Sequence, residues 1–177
     1  CSEILLLGNL WSCNIERNPQ IKGGSWTATV NNLIYNPGVT AIHYHLNDRL
    51  WQKRPPVTGR ADVVGNVLRH GADTLAGLAL VRFVGNGDLD LHESDNLAFD
   101  REGKPLAVVY EDTRYGGKII PRKSPVHWPA GLQARPASAT EEEVLREAGA
   151  RPWDRDEIDQ RIVRQVRERT ARVIDSE

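Results

Sequence analysis

The residues best suited to chemistry lie together between Glu16 and Gly24, in the run Glu-Arg-Asn-Pro-Gln-Ile-Lys-Gly-Gly. Arg17 and Lys22 set two cations five positions apart across Pro19. Successive side chains of an extended strand alternate faces, so an odd spacing sends the two charges apart. A turn at Pro19, whose ring fixes φ, can return both to one edge and so create a local anion site. His43 and His45 share one face of an extended segment, but nothing near them in sequence completes a metal set. Asp88, Asp90, Glu93 and Asp95 can line up carboxylates on one face, although a solvated loop is the simpler expectation.

The chain of 177 residues is 40% hydrophobic and 27% charged, a composition that suits one globular domain with a core. Lys and Arg number 23 against 24 Asp and Glu, leaving a formal net charge of -1. No global field then draws in nucleic acid or an anionic membrane, and any anion binding is local. The charges of the C-terminal region are mixed, without the aromatic interleaving of single-strand binders, so no nucleic-acid partner is expected. The longest apolar run considered, Ile4 to Leu7, is far below the roughly 20 residues of a membrane span. The chain has no methionine and opens Cys-Ser-Glu directly before Ile-Leu-Leu-Leu. It reads as a fragment or a processed chain, with a lipidated N-terminal cysteine as the alternative. An exposed first coil, Ile4 to Leu7 with Leu10, then predicts association through its open edge. Cys1 and Cys13 are expected to be free thiols, Cys13 packed.

Positioning comes from an irregular repeat. Leu-Gly-Asn9-Leu-Trp, Asn-Asn32-Leu-Ile-Tyr, Val-Gly-Asn66-Val-Leu and Ser-Asp-Asn96-Leu-Ala each place a small or polar residue, an asparagine and an apolar pair, at spacings of 23, 34 and 30. Short β-rich runs at such periods fit the coils of a parallel β-helix; Asn-rich turns of a β-sandwich are the alternative. In the β-helix the repeated asparagines adopt a left-handed backbone and pass amide hydrogen bonds from coil to coil. Leu46 to Gly59, with Arg49, Trp51, Lys53 and Arg54, is the candidate binding loop, with a plain solvated loop as the equal alternative. Tyr115 to Arg135 reads as an irregular strap along the outside. Thr140 with Glu143, and Asp154 with Glu157, predict capping boxes for two short helices. Val144, Leu145 and Ala148 mark the first apolar stripe; Ile158, Ile162, Val163 and Val166 mark the second, to about Arg169. The expected division is 1–137 for coils and packed loops and 138–177 for a helical tail packed on them.

The run Asn9-Leu-Trp-Ser-Cys-Asn-Ile-Glu-Arg17-Asn-Pro19-Gln-Ile-Lys22-Gly-Gly, followed by Val30-Asn-Asn-Leu-Ile-Tyr-Asn36, resembles the catalytic region of the pectate lyases of polysaccharide lyase family 1. The tail from Ala148 to Ser176 resembles the C-terminal end of bacterial members. The resemblance implies an all-β fold, a right-handed parallel β-helix with a short α-helical tail, in a secreted, extracellular or periplasmic protein. It implies a lyase that cleaves pectate or polygalacturonate by β-elimination, this chain being a C-terminal portion; the alternative is a non-catalytic β-helix module that binds acidic polysaccharide. The family motif Arg-x-Pro-x-x-Arg falls on Arg17, implied as the base, on Pro19, and on Lys22, implied as the contact to a substrate carboxylate. Lys22 stands where the family has arginine, keeping the charge but losing the bidentate fork. Calcium is implied as cofactor, held by carboxylates upstream of the motif. Only Glu3 and Glu16 precede Arg17 here, so no metal ligands are assigned.

Overall fold

The computed structural model describes residues 3–22, 24–46 and 55–174. Strands arrive in threes: β1 (Glu3–Leu7), β2 (Leu10–Ser12), β3 (Gln20–Lys22), then β4 (Trp26–Val30), β5 (Leu33–Tyr35), β6 (Ile42–Leu46). The pattern repeats with β7 (Gly59–Val64), β8 (Val67–Arg69), β9 (Val81–Gly85), then β10 (Leu89–Ser94), β11 (Leu97–Phe99), β12 (Val109–Asp112), and finally β13 (Ile119–Pro121). Every strand pairs in parallel with the one three places on, giving sheets β1-β4-β7-β10-β13, β2-β5-β8-β11 and β3-β6-β9-β12. The described chain is thus mostly β, with three parallel sheets and two short helices, α1 (Ala137–Glu147) and α2 (Glu157–Arg167). This arrangement is compatible with a parallel β-helix.

The asparagine ladder explains why the bends between the first and second sheets coincide. Asn9 donates from its backbone and side-chain nitrogens to Asn32 Oδ1, both at 2.8 Å. Asn32 does the same to Asn66 Oδ1 at 3.0 and 2.9 Å, and Asn66 to Asn96 Oδ1 at 2.9 and 3.0 Å. Buried amides with no access to water are thereby satisfied by the next rung. The left-handed residue is not the ladder asparagine, as expected from sequence, but its predecessor: Gly8 (φ 67°), Asn31 (φ 50°), Gly65 (φ 69°) and Asp95 (φ 49°). The small or polar residue of each repeat makes the bend, and the asparagine after it is left free to stack.

Each sheet turns one side inward, and the other sides differ. The inner core gathers Ile34, Ile42, Tyr44, Leu46, Val63, Leu68, Phe83 and Leu91. The second sheet is apolar on both sides, because Leu33, Tyr35 and Val67 pack outward against Ala137, Val144, Leu145 and Val166 of the helices. Burying each such side chain contributes about 1.5–3 kcal/mol. The first sheet is crossed by the strap: Asp62, fully buried, accepts from the backbone of Val126 at 2.8 Å and of His127 at 2.7 Å. Part of the strap is regular, since Ile119–Pro121 joins the first sheet beside β10. The third sheet presents polar side chains outward.

The helices depart from the expected caps. Thr140 does not cap α1, which begins at Ala137 after Pro136. Asp95, from the bend before β11, accepts from Ala137 N at 2.8 Å and caps the helix from across the fold. Thr140 is inside the helix, where its hydroxyl donates to Gly65 O at 2.7 Å and accepts from Asn31 Nδ2 at 2.9 Å. The cap of α2 is Asp156 rather than Asp154, accepting from Asp159 N at 2.9 Å. The apolar stripe of α2 is only half used: Val166 is buried, but Ile158 and Ile162 are exposed.

Candidate functional site

Arg17 lies in the turn from the second sheet to the third, and that turn is tied to the next one. Its own nitrogen donates to Thr40 Oγ1 at 3.2 Å with φ at 68°, a region that non-glycine residues seldom occupy. Buried Asn18 locks the same turn, donating from Nδ2 to Thr40 O at 3.0 Å and accepting from Asn14 Nδ2 at 2.8 Å. The Asn18–Pro19 peptide is cis, and Pro19 O accepts from His43 N at 2.9 Å. So held, the chain enters β3 with Gln20 and Lys22 on its outward side and Ile21 buried. The Arg17 guanidinium is largely exposed and pairs with Glu16 at 3.1 Å.

Register then builds the face. Gln20 lies beside His43, and Lys22 beside His45. His43 in turn lies beside Arg82, and Arg82 beside Tyr110. The two imidazoles stack, with centroids 5.2 Å apart and planes 7° from parallel. Gln20 Nε2 lies 3.1 Å from His45 Nδ1. His43 is 9% exposed, yet among the described residues neither ring nitrogen has a hydrogen-bond partner. An unpaired buried polar group costs stability and is the kind of group that a bound ligand can satisfy. Burial, then His45, Arg82 and Arg17, push the His43 imidazole down to about 4. Burial, then Lys22 and Arg82, also lower His45. At neutral pH His43 is therefore a neutral hydrogen-bonding ring flanked by guanidinium and ammonium groups. Arg82 itself lies 3.6 Å from Asp112, whose carboxylate is claimed more closely by Arg114 at 2.6 Å.

Such a face suits a ligand that brings negative charge and hydroxyl groups. It does not suit calcium, which needs six to eight hard oxygen ligands. Among the described residues no group of three His, Cys, Asp or Glu could hold a metal ion. Glu16, the carboxylate beside Arg17, is already paired with it. Asp88, Asp90, Glu93 and Asp95, whose carboxylates could have lined up on one face, serve four separate structural ends. Asp88 accepts from Lys118 N at 3.1 Å and Asp90 binds Arg122 at 2.5 Å. Glu93 accepts from Asn96 Nδ2 at 2.9 Å, and Asp95 caps α1.

Lys22, His43 and His45 are thus brought to one face, and Arg17, in the turn before β3, is near enough for its charge to act on His43. Gln20, Arg82 and Tyr110 join them without having been singled out in the sequence, because their register depends on turns of unequal length. Arg49, Trp51, Lys53 and Arg54 of the candidate binding loop, like Cys1, lie outside the described residues. Cys13 is a free, half-buried thiol. In comparisons with protein-family models, curated proteins and solved structures, nothing matched this chain.

Proposed function

We propose that this chain belongs to a polysaccharide lyase acting on pectate-type uronates, with a right-handed parallel β-helix fold and a secreted or periplasmic setting where such polymers occur. The observation that supports it is the outward face of the third sheet, where Lys22 lies beside His45, and where His43, unpartnered among the described residues, feels the charge of Arg17 from the adjoining turn. The ligand class follows from the face: a sugar acid supplies a carboxylate for the cations and hydroxyls for the rings.

In β-elimination a base removes the proton at C5, the C–H electrons form the C4–C5 double bond, and the glycosidic oxygen leaves C4, taking a proton from water or from the protonated base. Negative charge grows on the carboxylate and C5 as the proton departs. Lys22 is placed to stabilise that charge as a point contact, without a bidentate grip. Arg17 is the base. A guanidine accepts a proton only in its neutral form, which arginine populates very little at neutral pH. The reaction therefore speeds up with rising pH, and Arg17 must turn from Glu16 to reach substrate. Calcium would need ligands from outside the described residues.

The Arg17–Glu16 pair at 3.1 Å favours a second reading, a module that binds acidic polysaccharide without cleaving it. Arg17→Ala separates the two. For a lyase, the variant keeps its fold and its retardation in polygalacturonate gels but loses unsaturated product. Equal product formation by the variant removes Arg17 from the chemistry; retardation of the native chain with no product from it favours the binding module.

A further inference from the structure

The turns between the second and third sheets enclose a cavity of about 260 Å³ whose wall includes Val39, Thr40, Leu75, Leu78, Arg82 and Tyr110. Stacked turns fix its position: Val39 N donates to Ile15 O at 2.7 Å, Leu75 N to Gly38 O at 2.8 Å, and Leu78 N to Leu75 O at 3.3 Å. Val39, Leu75 and Tyr110 are exposed, so the cavity opens on an apolar rim. A sugar needs partners for several hydroxyls and finds few here, since most of the wall is aliphatic and Thr40 Oγ1 already accepts from Arg17 N. Pockets for drug-sized ligands run from roughly 300 to 1,000 Å³, so this one suits a smaller guest, of one ring.

The wall carries one formal charge, that of Arg82. Asp112 lies 3.6 Å from this guanidinium, beyond hydrogen-bond range. Arg114 holds the same carboxylate instead, through its backbone nitrogen at 3.3 Å, its Nε at 2.8 Å and a terminal nitrogen at 2.6 Å. Two guanidinium groups thus share one carboxylate, which leaves a single positive charge to be matched. Arg82 Nε is also buried with no hydrogen-bond partner among the described residues, and neither protein nor bulk water satisfies it. Charge therefore selects a monoanion, and a carboxylate is the planar acceptor that a guanidinium fork fits. At the rim, the Tyr110 ring offers an aromatic guest a stacking or edge-on contact.

We propose that this cavity binds a small aromatic monocarboxylate, its carboxylate on Arg82 and its ring among Leu75, Leu78 and Tyr110. The site selects an apolar ring where the neighbouring face selects hydroxyls, and it stands whether or not the chain cleaves uronates. Its occupant lies beside the turn that carries Arg17, because Thr40 belongs to both.

The test follows benzoate and cinnamate by calorimetry and ligand-observed NMR, beside benzamide as the uncharged isostere and galacturonate monomer as the hydroxylated acid. Cinnamate should bind the native chain with a Kd of about 1 mM or tighter. Benzamide should bind about tenfold more weakly than benzoate, the value of one charge-assisted contact, and galacturonate should do no better. Arg82→Gln should weaken the acids by about tenfold and Arg82→Lys should recover part of the loss. Asp112 keeps Arg114 at 2.6 Å in both variants, so no buried carboxylate is left alone. Leu75→Asp changes an exposed residue and sets a like charge at the rim, so it should abolish binding without cost to the fold. Equal binding of benzamide and benzoate, or native affinity in Leu75→Asp, overturns the proposal. Galacturonate that outbinds cinnamate and is lost in Leu75→Asp gives the cavity to a sugar and also overturns it. No binding of either aromatic acid at about 10 mM overturns it while leaving the uronate face standing. Native self-association that Leu75→Asp abolishes, with no acid bound, assigns the rim to a second copy of the chain and overturns it too.

Discussion

His43 makes stability depend on pH in a direction that can be worked out in advance. Its ring is 9% exposed, stacked on His45, and faced by Arg82 and Arg17, and its value falls from 6.5 to about 4. Between these limits the unfolded chain binds a proton that the folded chain refuses. Stability then rises with pH across the window and is lost on acidification from about 6.5 toward about 4. One proton of difference is worth about 1.4 kcal/mol per pH unit, so acidification to about pH 5 removes about 1.5 kcal/mol through this ring alone. His45 and His70, also lowered by burial, act with the same sign. The carboxylates held low, Asp73 at about 2 with Glu142 and Glu147, give up their contribution only below the ordinary carboxylate value of 4.5 or less. The interval from about pH 5 to about pH 6.5 therefore belongs to the histidines. Urea denaturation across it, in the native chain and in His43→Gln, should show a shallower slope for the variant whatever its absolute stability. An unchanged slope would mean that His43 charges freely in the folded protein and that the face is not the desolvated site described here.

Other predictions concern the scaffold. Asn66→Ala removes a rung whose amide donates to Thr29 O at 2.8 Å and to Asn96 Oδ1, and whose oxygen serves Asn32. With several buried groups orphaned, thermal or urea unfolding should show a loss of about 4 kcal/mol. Asp62→Ala frees the two strap nitrogens now bonded to its carboxylate. About 3 kcal/mol should be lost, and trypsin should cut at Arg122 or Lys123 before the rest of the chain opens. Arg17→Ala, exposed and remote from the core, should leave the unfolding free energy within about 0.5 kcal/mol of native while ending product formation.

What could be read from sequence was what repeats. The asparagines at 9, 32, 66 and 96 carry one physical job at one bend, so chemistry and spacing pointed together. The left-handed position was misplaced by one residue because both Asn and Gly tolerate that conformation, and only the backbone decides which takes it. Capping boxes at Thr140 and Asp154 failed because a distant residue, Asp95, and a nearer one, Asp156, supplied the caps instead. Half of the α2 stripe stayed exposed because packing onto the second sheet used Val166 and not Ile158. At the site, Arg17 and Lys22 were legible from their own run of sequence. Arg82 and Tyr110 were not, since the distance from ladder asparagine to third-sheet strand runs from Asn9 to Gln20, Asn32 to Ile42, Asn66 to Val81 and Asn96 to Val109. Turn length in an exposed loop costs little free energy, and so it drifts and hides the register.

The central claim is that the outward face of the third sheet holds the uronate. With only five histidines in the chain, the ring resonances can be assigned, and those of His43 and His45 report on the face directly. On titration with a galacturonate oligomer, the account predicts that these two rings shift first and that His43 titrates above its value of about 4, because a bound carboxylate favours the imidazolium. Saturation of the chain by the oligomer with both rings unmoved, or with shifts confined to His70, His92 and His127, would contradict it.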